Sequence, residues 1–188
     1  FDQPLMHTAT LVASALNVQT SQIPNELAAN VDEIAQATLS TGWYGTAGNM
    51  LVELDPLRLY PLHPTILPVL IHFFARFGQH ERSLFSFLFS SEPFGLQSFA
   101  LKPLDSGCWY RLSDFYDYIR ATFGHRLAGA SSQSQWLRIS GILSSSVVDD
   151  PVELQLLKSV GILNLIDAEQ LLATENVLTA AIADRDGK

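Results

Sequence analysis

The sequence is poor in charge and in cysteine. Only 16% of its 188 residues are charged, whereas 47% are hydrophobic and 10% are aromatic. This balance excludes intrinsic disorder and favours a densely packed helical body. The single cysteine, Cys108, cannot form an internal disulfide, and no Asn-x-Ser/Thr acceptor for glycosylation occurs. We therefore expect a cytoplasmic protein that needs neither disulfides nor a metal to fold.

Basic residues are also scarce. Lys and Arg number 11 against 19 Asp and Glu, which gives a formal net charge of -8. Because phosphate attraction supplies most of the affinity of DNA-binding helices, this balance excludes a nucleic-acid surface spread over the whole chain. Residues 131–188 are themselves net acidic, and the helix expected from Thr174 has no basic residue before Arg185. For this region we therefore favour a protein-contact or structural role over DNA binding.

No strongly apolar segment without a charge reaches the length of a membrane helix. One apolar, uncharged segment runs from Leu59 to Ala75 and contains three prolines and two histidines. Such a stretch predicts a buried helix, and we expect no membrane contact. The chain begins at Phe1 without an initiator methionine, which predicts a piece of a longer polypeptide.

The motifs of independent catalysts are missing from the sequence. It has neither a Gly-x4-Gly-Lys-Ser/Thr phosphate loop nor a Gly-x-Ser-x-Gly elbow. None of the five histidines shares the four-residue spacing that places two imidazoles on one helix face. Gly42, Gly45 and Gly48 are not followed by lysine, so they predict an ordinary loop. We expect no catalytic residue, no metal ligand and no cofactor in this chain itself.

Apolar residues recur at three- and four-residue spacing through most of the chain, which predicts a mainly α fold. We divide this fold into three regions. Residues 1–49 form an N-terminal helical segment with a glycine-rich loop, residues 50–130 form a helical, lid-like domain, and residues 131–188 form a winged-helix-like unit. The architecture is thus a helical bundle followed by a three-helix unit.

The central region is predicted to contain two apolar helices. The first runs from Pro64, which suits the first helical position, to about Phe77. The second runs from about His80 to Ser90, and Met50–Tyr60, ahead of both, is expected to be extended. Four apolar side chains of the second helix are expected to point inward: Leu84, Phe85, Phe87 and Leu88.

The last third predicts three further helices, Gln135–Leu143, Pro151–Val160 and Thr174–Ala183. A helix, a second helix, a turn and a third helix form the skeleton of a winged-helix domain. The wing strands would follow Lys188 and are not in the sequence. We therefore expect a truncated winged-helix unit.

Two central motifs carry a resemblance to a known group of proteins. They are Tyr60-Pro61-Leu62-His63-Pro64 and Gln79-His80-Glu81-Arg82-Ser83-Leu84-Phe85-Ser86-Phe87-Leu88. Together with Leu112–Ile119 and Leu156–Ile166, they resemble the segment after the ATPase core in large bacterial P-loop ATPases of the AAA+ and STAND type. That group includes ATPases of phage-exclusion defence systems. The similarity extends over residues 50–180.

The resemblance implies that the chain is the lid and winged-helix portion of an ATPase whose core, with ATP and Mg, precedes Phe1. Arg82 would then project from the lid and sense the terminal phosphate of the nucleotide, since a guanidinium is always ionised. His63 would lie at a helix start near the hinge between lid and core. The sequence departs from the family pattern at His80, where the family has asparagine. The missing ATPase core of the same polypeptide would be the main partner.

The same residues also have plainer interpretations. Arg82 in the first turn of a helix is typical of a solvated or surface-paired arginine, and His63 before a proline is typical of a residue that bonds locally. A run of phenylalanines predicts core or interdomain packing, and an exposed subset of it would mark where a missing core docks. The run consists of Phe73, Phe74, Phe77, Phe85, Phe87 and Phe89.

Three functions remain open from the sequence. The first is a non-catalytic region that couples the nucleotide state of a P-loop ATPase to its C-terminal part, as in phage defence. The second is a stand-alone helical interaction module that binds a protein partner or a second copy of itself. The third is a DNA-binding regulator, which the charge disfavours.

Overall fold

Helices dominate the computed structural model of the chain, which describes residues 2–45, 48–78, 81–101, 109–129, 133–145 and 148–182. The α-helices are α1 (Asp2–Leu16), α2 (Asn25–Ser40), α3 (Gly48–Leu54), α4 (Ile66–Phe77), α5 (Glu81–Phe89), α6 (Leu96–Ala100), α7 (Leu112–Thr122), α8 (Gly124–Ala128), α9 (Gln133–Ser145), α10 (Pro151–Ile166) and α11 (Glu175–Ile182). Short 3-10 helices lie at Thr20–Gln22 and Pro56–Leu59. These ranges contain no β-strand, although an isolated bridge joins Leu62 to Tyr110. The prediction of a mainly α fold is confirmed.

The segment between Met50 and Tyr60 is helical, so the prediction that it is extended is wrong. α3 continues to Leu54, and a 3-10 turn follows it. Asp55 connects the two helices: its carboxylate accepts a hydrogen bond from the Leu57 N–H at 3.1 Å, and its backbone has a left-handed φ of 66°. Pro56 then occupies the start of the 3-10 turn, where its fixed φ and missing N–H are tolerated.

α4 begins at Ile66, two residues after the start predicted at Pro64. The Ile66 N–H bonds to the His63 carbonyl at 2.8 Å, which makes residues 63–66 a turn. The Pro64 carbonyl accepts a hydrogen bond from the Tyr44 hydroxyl at 2.5 Å. The proline therefore shapes the turn before the helix instead of the first turn of the helix itself. The end of α4 at Phe77 agrees with the prediction.

One apolar cluster contains residues from all three predicted regions. It includes Val12 of α1, Phe73 of α4 and Leu163 of α10, and α7 packs against α10 within it. Aromatic rings in the centre meet edge-on or tilted, with centroids 5.1 to 6.2 Å apart, the geometry that their quadrupoles favour. These rings belong to Phe73, Phe74, Phe87, Phe115 and Phe123. The region boundaries and the winged-helix arrangement stay predictions.

Three arginines close the C-terminal ends of helices other than their own. The last carbonyls of a helix have no partner within it and carry the negative end of its dipole, so a guanidinium stabilises them by hydrogen bonding and by charge. The bonds run from Arg76 to the Leu165 and Ile166 carbonyls of α10, from Arg126 to the Phe77 carbonyl of α4, and from Arg111 to the Ala181 carbonyl of α11. They fix where these three helices end against the rest of the fold.

Gly161 lies inside α10 at the place where α9 packs on that helix. A Cβ atom at this position would lie 2.8 Å from the Ile139 Cγ2 methyl, which is closer than van der Waals contact. Ile139 is buried and β-branched, so its methyl group cannot rotate away freely. The glycine therefore allows the close approach of the two helices, and α10 continues past the end predicted at Val160.

Alanine at Gly161 should lower the free energy of unfolding, whereas alanine at Gly141 should raise it. Both glycines lie inside helices, where alanine is intrinsically favoured by about 0.5–1 kcal/mol. No atom lies within 4 Å of a carbon added at Gly141, so that variant should show the gain. At Gly161 the clash should outweigh it, with a net loss of about 1–3 kcal/mol. Urea denaturation measures both variants, and equal effects would contradict the close contact.

Candidate functional site

A shallow groove follows the exposed side of α5. Its lining residues are Arg82, Phe85, Ser86, Phe89 and Ser90, and its volume is about 620 Å³. Phe85 and Phe89 are 39% and 53% exposed, and their rings stack with centroids 6.1 Å apart. We call these five residues the α5 surface.

The opposite side of α5 is buried in the core. Leu84, Phe87 and Leu88 are each at most 5% exposed. Their three- and four-residue spacing places them on one helical face, and the α5 surface lies on another. The prediction that Phe85 points inward is therefore wrong. The exposed subset of the phenylalanine run includes Phe85 and Phe89, and a docking role for it stays a prediction.

Arg82 lies at the N-terminal end of the α5 surface, in the first turn of the helix. Its side chain is exposed and makes no hydrogen bond or ion pair with any residue that the structure describes. The positive end of a helix dipole disfavours a cation in this position. The guanidinium, which has five N–H donors, is thus available to an anion or an aromatic ring of another molecule. A role of Arg82 in nucleotide sensing stays a prediction.

Two core tyrosines hold the turn between α5 and α6. The Tyr118 hydroxyl donates to the Glu92 carboxylate at 2.7 Å, and the Tyr110 hydroxyl donates to the Phe94 carbonyl at 2.8 Å. Burial and the hydrogen-bonded Glu92 carboxylate raise the pKa of Tyr118, so its hydroxyl remains a donor at neutral pH. Phe94 has a left-handed φ of 61° and is 53% exposed. The turn thus presents an aromatic ring to solvent from a fixed backbone.

His63 lies in the core and not on a surface. Its side chain is 0% exposed, and its ring packs edge-on against Trp109 with centroids 5.6 Å apart. Its backbone N–H donates to the Tyr110 carbonyl at 3.0 Å, which ties the segment before α4 to the start of α7. The structure does not bring the enclosed His63 ring and the exposed Arg82 side chain together. A role of His63 in nucleotide sensing stays a prediction, and it would require the core around the ring to open.

The partners of His63 define its protonation state. The Thr65 N–H and hydroxyl lie 3.3 and 2.8 Å from Nδ1. Because a backbone N–H can only donate, Nδ1 is the acceptor and the proton is on Nε2. Nε2 has no hydrogen-bond partner among the described residues. Burial, with a smaller effect from the Arg111 charge, lowers the pKa of His63 well below its usual value, so the ring is neutral.

The glycine-rich loop contributes two buried aromatic residues to the interior of the protein. Gly42 and Gly45 have left-handed φ values of 78° and 52° in a turn that buries Trp43 and Tyr44, which agrees with the prediction of an ordinary loop. The sequence candidates His80 and Cys108 lie outside the described residues. Over the described ranges, no group of three or more His, Cys, Asp or Glu residues could hold a metal ion. None of the helices in those ranges is long and apolar enough to cross a membrane.

Comparisons with known proteins found no relative of this chain. No family model matches it, and no curated protein or solved structure is detectably similar to it.

Sequence reasoning missed the exposed aromatic ring of Phe94. The available signal was the run Pro93-Phe94-Gly95, since proline and glycine so close together are typical of a turn. An aromatic residue at the tip of a turn is more accessible than one inside a helix. The two tyrosines that hold the turn come from residues 110 and 118, which no local pattern connects to it.

Stability should fall as the pH drops from about 8 to about 5, and His63 should account for much of the loss. In the unfolded chain the imidazole takes up a proton near pH 6.5, whereas the folded chain resists protonation. The unfolded state therefore binds more protons, and the free energy of unfolding should decrease by up to about 1.4 kcal/mol per pH unit below about pH 6.5. The His63→Asn variant, whose amide oxygen replaces Nδ1 as acceptor, should be less stable at about pH 8 but less sensitive to acid.

The matched control for this prediction is His72→Gln. Burial also lowers the pKa of His72, but its ring is only half-buried and contacts the Gln170 amide. This variant should therefore keep more of the acid sensitivity than His63→Asn. Urea denaturation across the pH range measures both, and identical profiles for wild type and His63→Asn would show that His63 is not responsible.

Proposed function

We propose that this chain is a non-catalytic interaction module that docks through the α5 surface on another protein surface. The observation that carries the proposal is the stacked, exposed pair of Phe85 and Phe89 rings beside Arg82. Aromatic residues and arginine are the types most enriched at the energetic centres of protein interfaces. Scattered exposed apolar residues need no explanation, but rings and a cation along one helix face are typical of helix-based recognition.

The support beneath the α5 surface also favours docking. Leu84, Phe87 and Leu88 anchor the helix in the core, and the turn that follows it is bonded to Tyr110 and Tyr118. A surface held in this way loses little conformational entropy when a partner binds. More of the contact energy then contributes to affinity.

A more specific form of the proposal makes the partner a P-loop ATPase core. Arg82 would contact the terminal phosphate of ATP held with Mg by that core, and a shift of α5 would reach the C-terminal helices through the shared apolar cluster. The support for this form is the exposed guanidinium, together with the resemblance of the surrounding segments to the lid regions of bacterial ATPases, including those of phage defence. His63 would contribute only indirectly, by holding the segment before α4.

DNA binding has less support from the described helices. α11, the candidate recognition helix, carries Glu175 in its first turn and has no basic residue in its last turn. A helix that reads DNA needs cations to attract phosphates. A protein partner remains the better proposal for this part of the chain.

A photo-crosslinking amino acid at Phe85 should capture the docked protein in cells that make the full-length gene product. The matched control places the same amino acid at Leu172, which is 61% exposed but lies outside the α5 surface. Adducts are identified by mass spectrometry. An adduct at position 85 and not at position 172 supports docking, and a P-loop protein in that adduct supports the ATPase form. No adduct at position 85, or equal adducts at both positions, would rule out the α5 surface as a docking site.

The purified chain should not turn over ATP, since it contains no phosphate loop. In an assembly with the ATPase core, Arg82→Ala should lower kcat by about 10³-fold or more, as for other arginines that stabilise the transferred phosphate. Arg138→Ala, which removes an exposed arginine of α9, is the control and should leave kcat unchanged. Steady-state phosphate release measures both variants. Turnover by the purified chain, or wild-type kcat for Arg82→Ala, would overturn the ATPase form.

A further inference from the structure

We propose that the protein docked on the α5 surface is a second copy of this chain, with the two α5 helices packed antiparallel about a two-fold axis. This inference rests on the proposed function in its general form and names the partner. It follows from the order of the charges along α5 and from the positions of its small residues.

Arg82 and Glu92, at opposite ends of α5, are complementary in charge, and Glu81, the residue before Arg82, lies about 100° away from it around the helix. Arg82 lies in the first turn of the helix, and Glu92 follows its last residue, Phe89, in the turn to α6. Within one copy, the cation lies at the positive end of the helix dipole and the anion follows the negative end, which disfavours both. In an antiparallel pair, each Arg82 lies near the C-terminal end of the partner helix and its Glu92. Both unfavourable placements are thus compensated by the same contact, as a two-fold interface requires.

Glu92 can accept a second bond. One oxygen of its carboxylate, Oε2, accepts the Tyr118 hydroxyl at 2.7 Å, which fixes the position of the group. A carboxylate has about four lone-pair sites on its two oxygens. The side chain is half-buried, so part of it faces solvent. A guanidinium from a second copy would therefore meet a carboxylate that is already oriented.

The shape of the α5 surface suits the same arrangement. Ser86 and Ser90 are small residues in the groove that Phe85 and Phe89 also line. Small side chains let two helix backbones approach, and the rings of each helix can then occupy the spaces beside the serines of the other. Ser86 lies midway between Arg82 and Ser90. An axis beside Ser86 therefore places each Arg82 opposite the other copy's Ser90, roughly 6 Å from the axis at about 1.5 Å per residue.

A different partner would have to supply an anion and a cation in the matching order. A second copy carries both charges, with Arg82 on its α5 and Glu92 in the turn that follows. The ATPase form of the proposed function uses the same Arg82, so one protomer cannot present it to a second copy and to a nucleotide at the same time. Purified protein therefore separates the two uses.

Sedimentation equilibrium of the purified full chain is the first test. Wild type should form dimers within the range of about 1 μM to 1 mM, and Phe89→Glu should be monomeric throughout it. The matched control, Leu172→Glu, adds the same charge at an exposed leucine outside the α5 surface and should dimerise as wild type does. Thermal unfolding checks that each variant is folded.

A charge exchange tests the orientation of the helices. Arg82→Glu should weaken the dimer by about tenfold or more, because it faces the partner's Glu92 and the negative end of its helix. Adding Glu92→Arg to this variant should restore much of the lost affinity, since the two charges have then changed places. A lack of rescue in a double variant that unfolds at the wild-type temperature would overturn the antiparallel arrangement.

A disulfide at the axis tests the register without relying on Glu92. In a Cys108→Ser background, Ser86→Cys should form an intermolecular disulfide on mild oxidation, because facing helix positions at an axis meet the distance that a disulfide requires. Ser144→Cys, at an exposed position of α9, is the control and should remain reduced far longer.

Besides a lack of rescue, three results would overturn the inference. They are a wild-type chain that stays monomeric over the whole range, a dimer that Phe89→Glu leaves intact, and equal disulfide formation at positions 86 and 144. A monomeric chain that is still crosslinked at position 85 to a different protein would refute the second copy and leave the proposed function standing. The absence of both dimer and adduct would refute the two together.

Discussion

Tyr110 and Arg111, two consecutive buried residues, hold together parts of the fold that are far apart in the sequence. Their bonds reach Pro61 and His63 through the Tyr110 backbone, Phe94 through the Tyr110 hydroxyl, and Ala181 through the Arg111 guanidinium. Breaking one bond would leave a polar group without its partner in the interior, which costs about 1–3 kcal/mol. The segment before α4, the turn after α5, the start of α7 and the end of α11 therefore depend on one anchor. The positive charge of Arg111 also helps to keep the His63 ring neutral.

The anchor explains how a short helix with an apolar exposed side can keep a defined shape. α5 is fixed along one face by Leu84, Phe87 and Leu88, and the turn at its C-terminal end is fixed by the same Tyr110 that pairs with the segment before α4. The rings on its other face gain no comparable burial in the described structure. Arg82 lies at one end of these rings and Glu92 lies beyond the other end, so the two ends of the surface differ in charge. A binding partner would meet a helix whose position is already set by contacts on the far side of the core.

The helical class follows from the apolar period of the sequence, and the end of α4 at Phe77 could be predicted because glycine follows it. The sequence wrongly predicts that Phe85 points inward because α5 carries aromatic residues on more than one face. The spacing of apolar residues shows which face is buried only where the faces of a helix differ in polarity. The continuation of α10 through Gly161 was missed because a glycine in a helix looks like an end until its packing partner is known. The exposure of Arg82 follows from local sequence. The burial of His63 does not, since its enclosing residues, such as Trp109, are distant in the chain.

The arginine bonds to helix ends also constrain the order in which a growing chain can be completed. Those of Arg126, Arg111 and Arg76 join residues separated by 49, 70 and up to 90 positions. When α4 leaves the ribosome, the residue that closes its last turn has not been synthesised, and short isolated helices are only marginally stable in water. The last turn of α4 therefore lacks its Arg126 partner until α8 is synthesised. Arg76, near the end of α4, lacks its carbonyl partners until α10 is synthesised. Until α8 and α10 are synthesised, the apolar side chains of α4 lack the core that buries them in the folded chain, and such exposed surface is prone to aggregation.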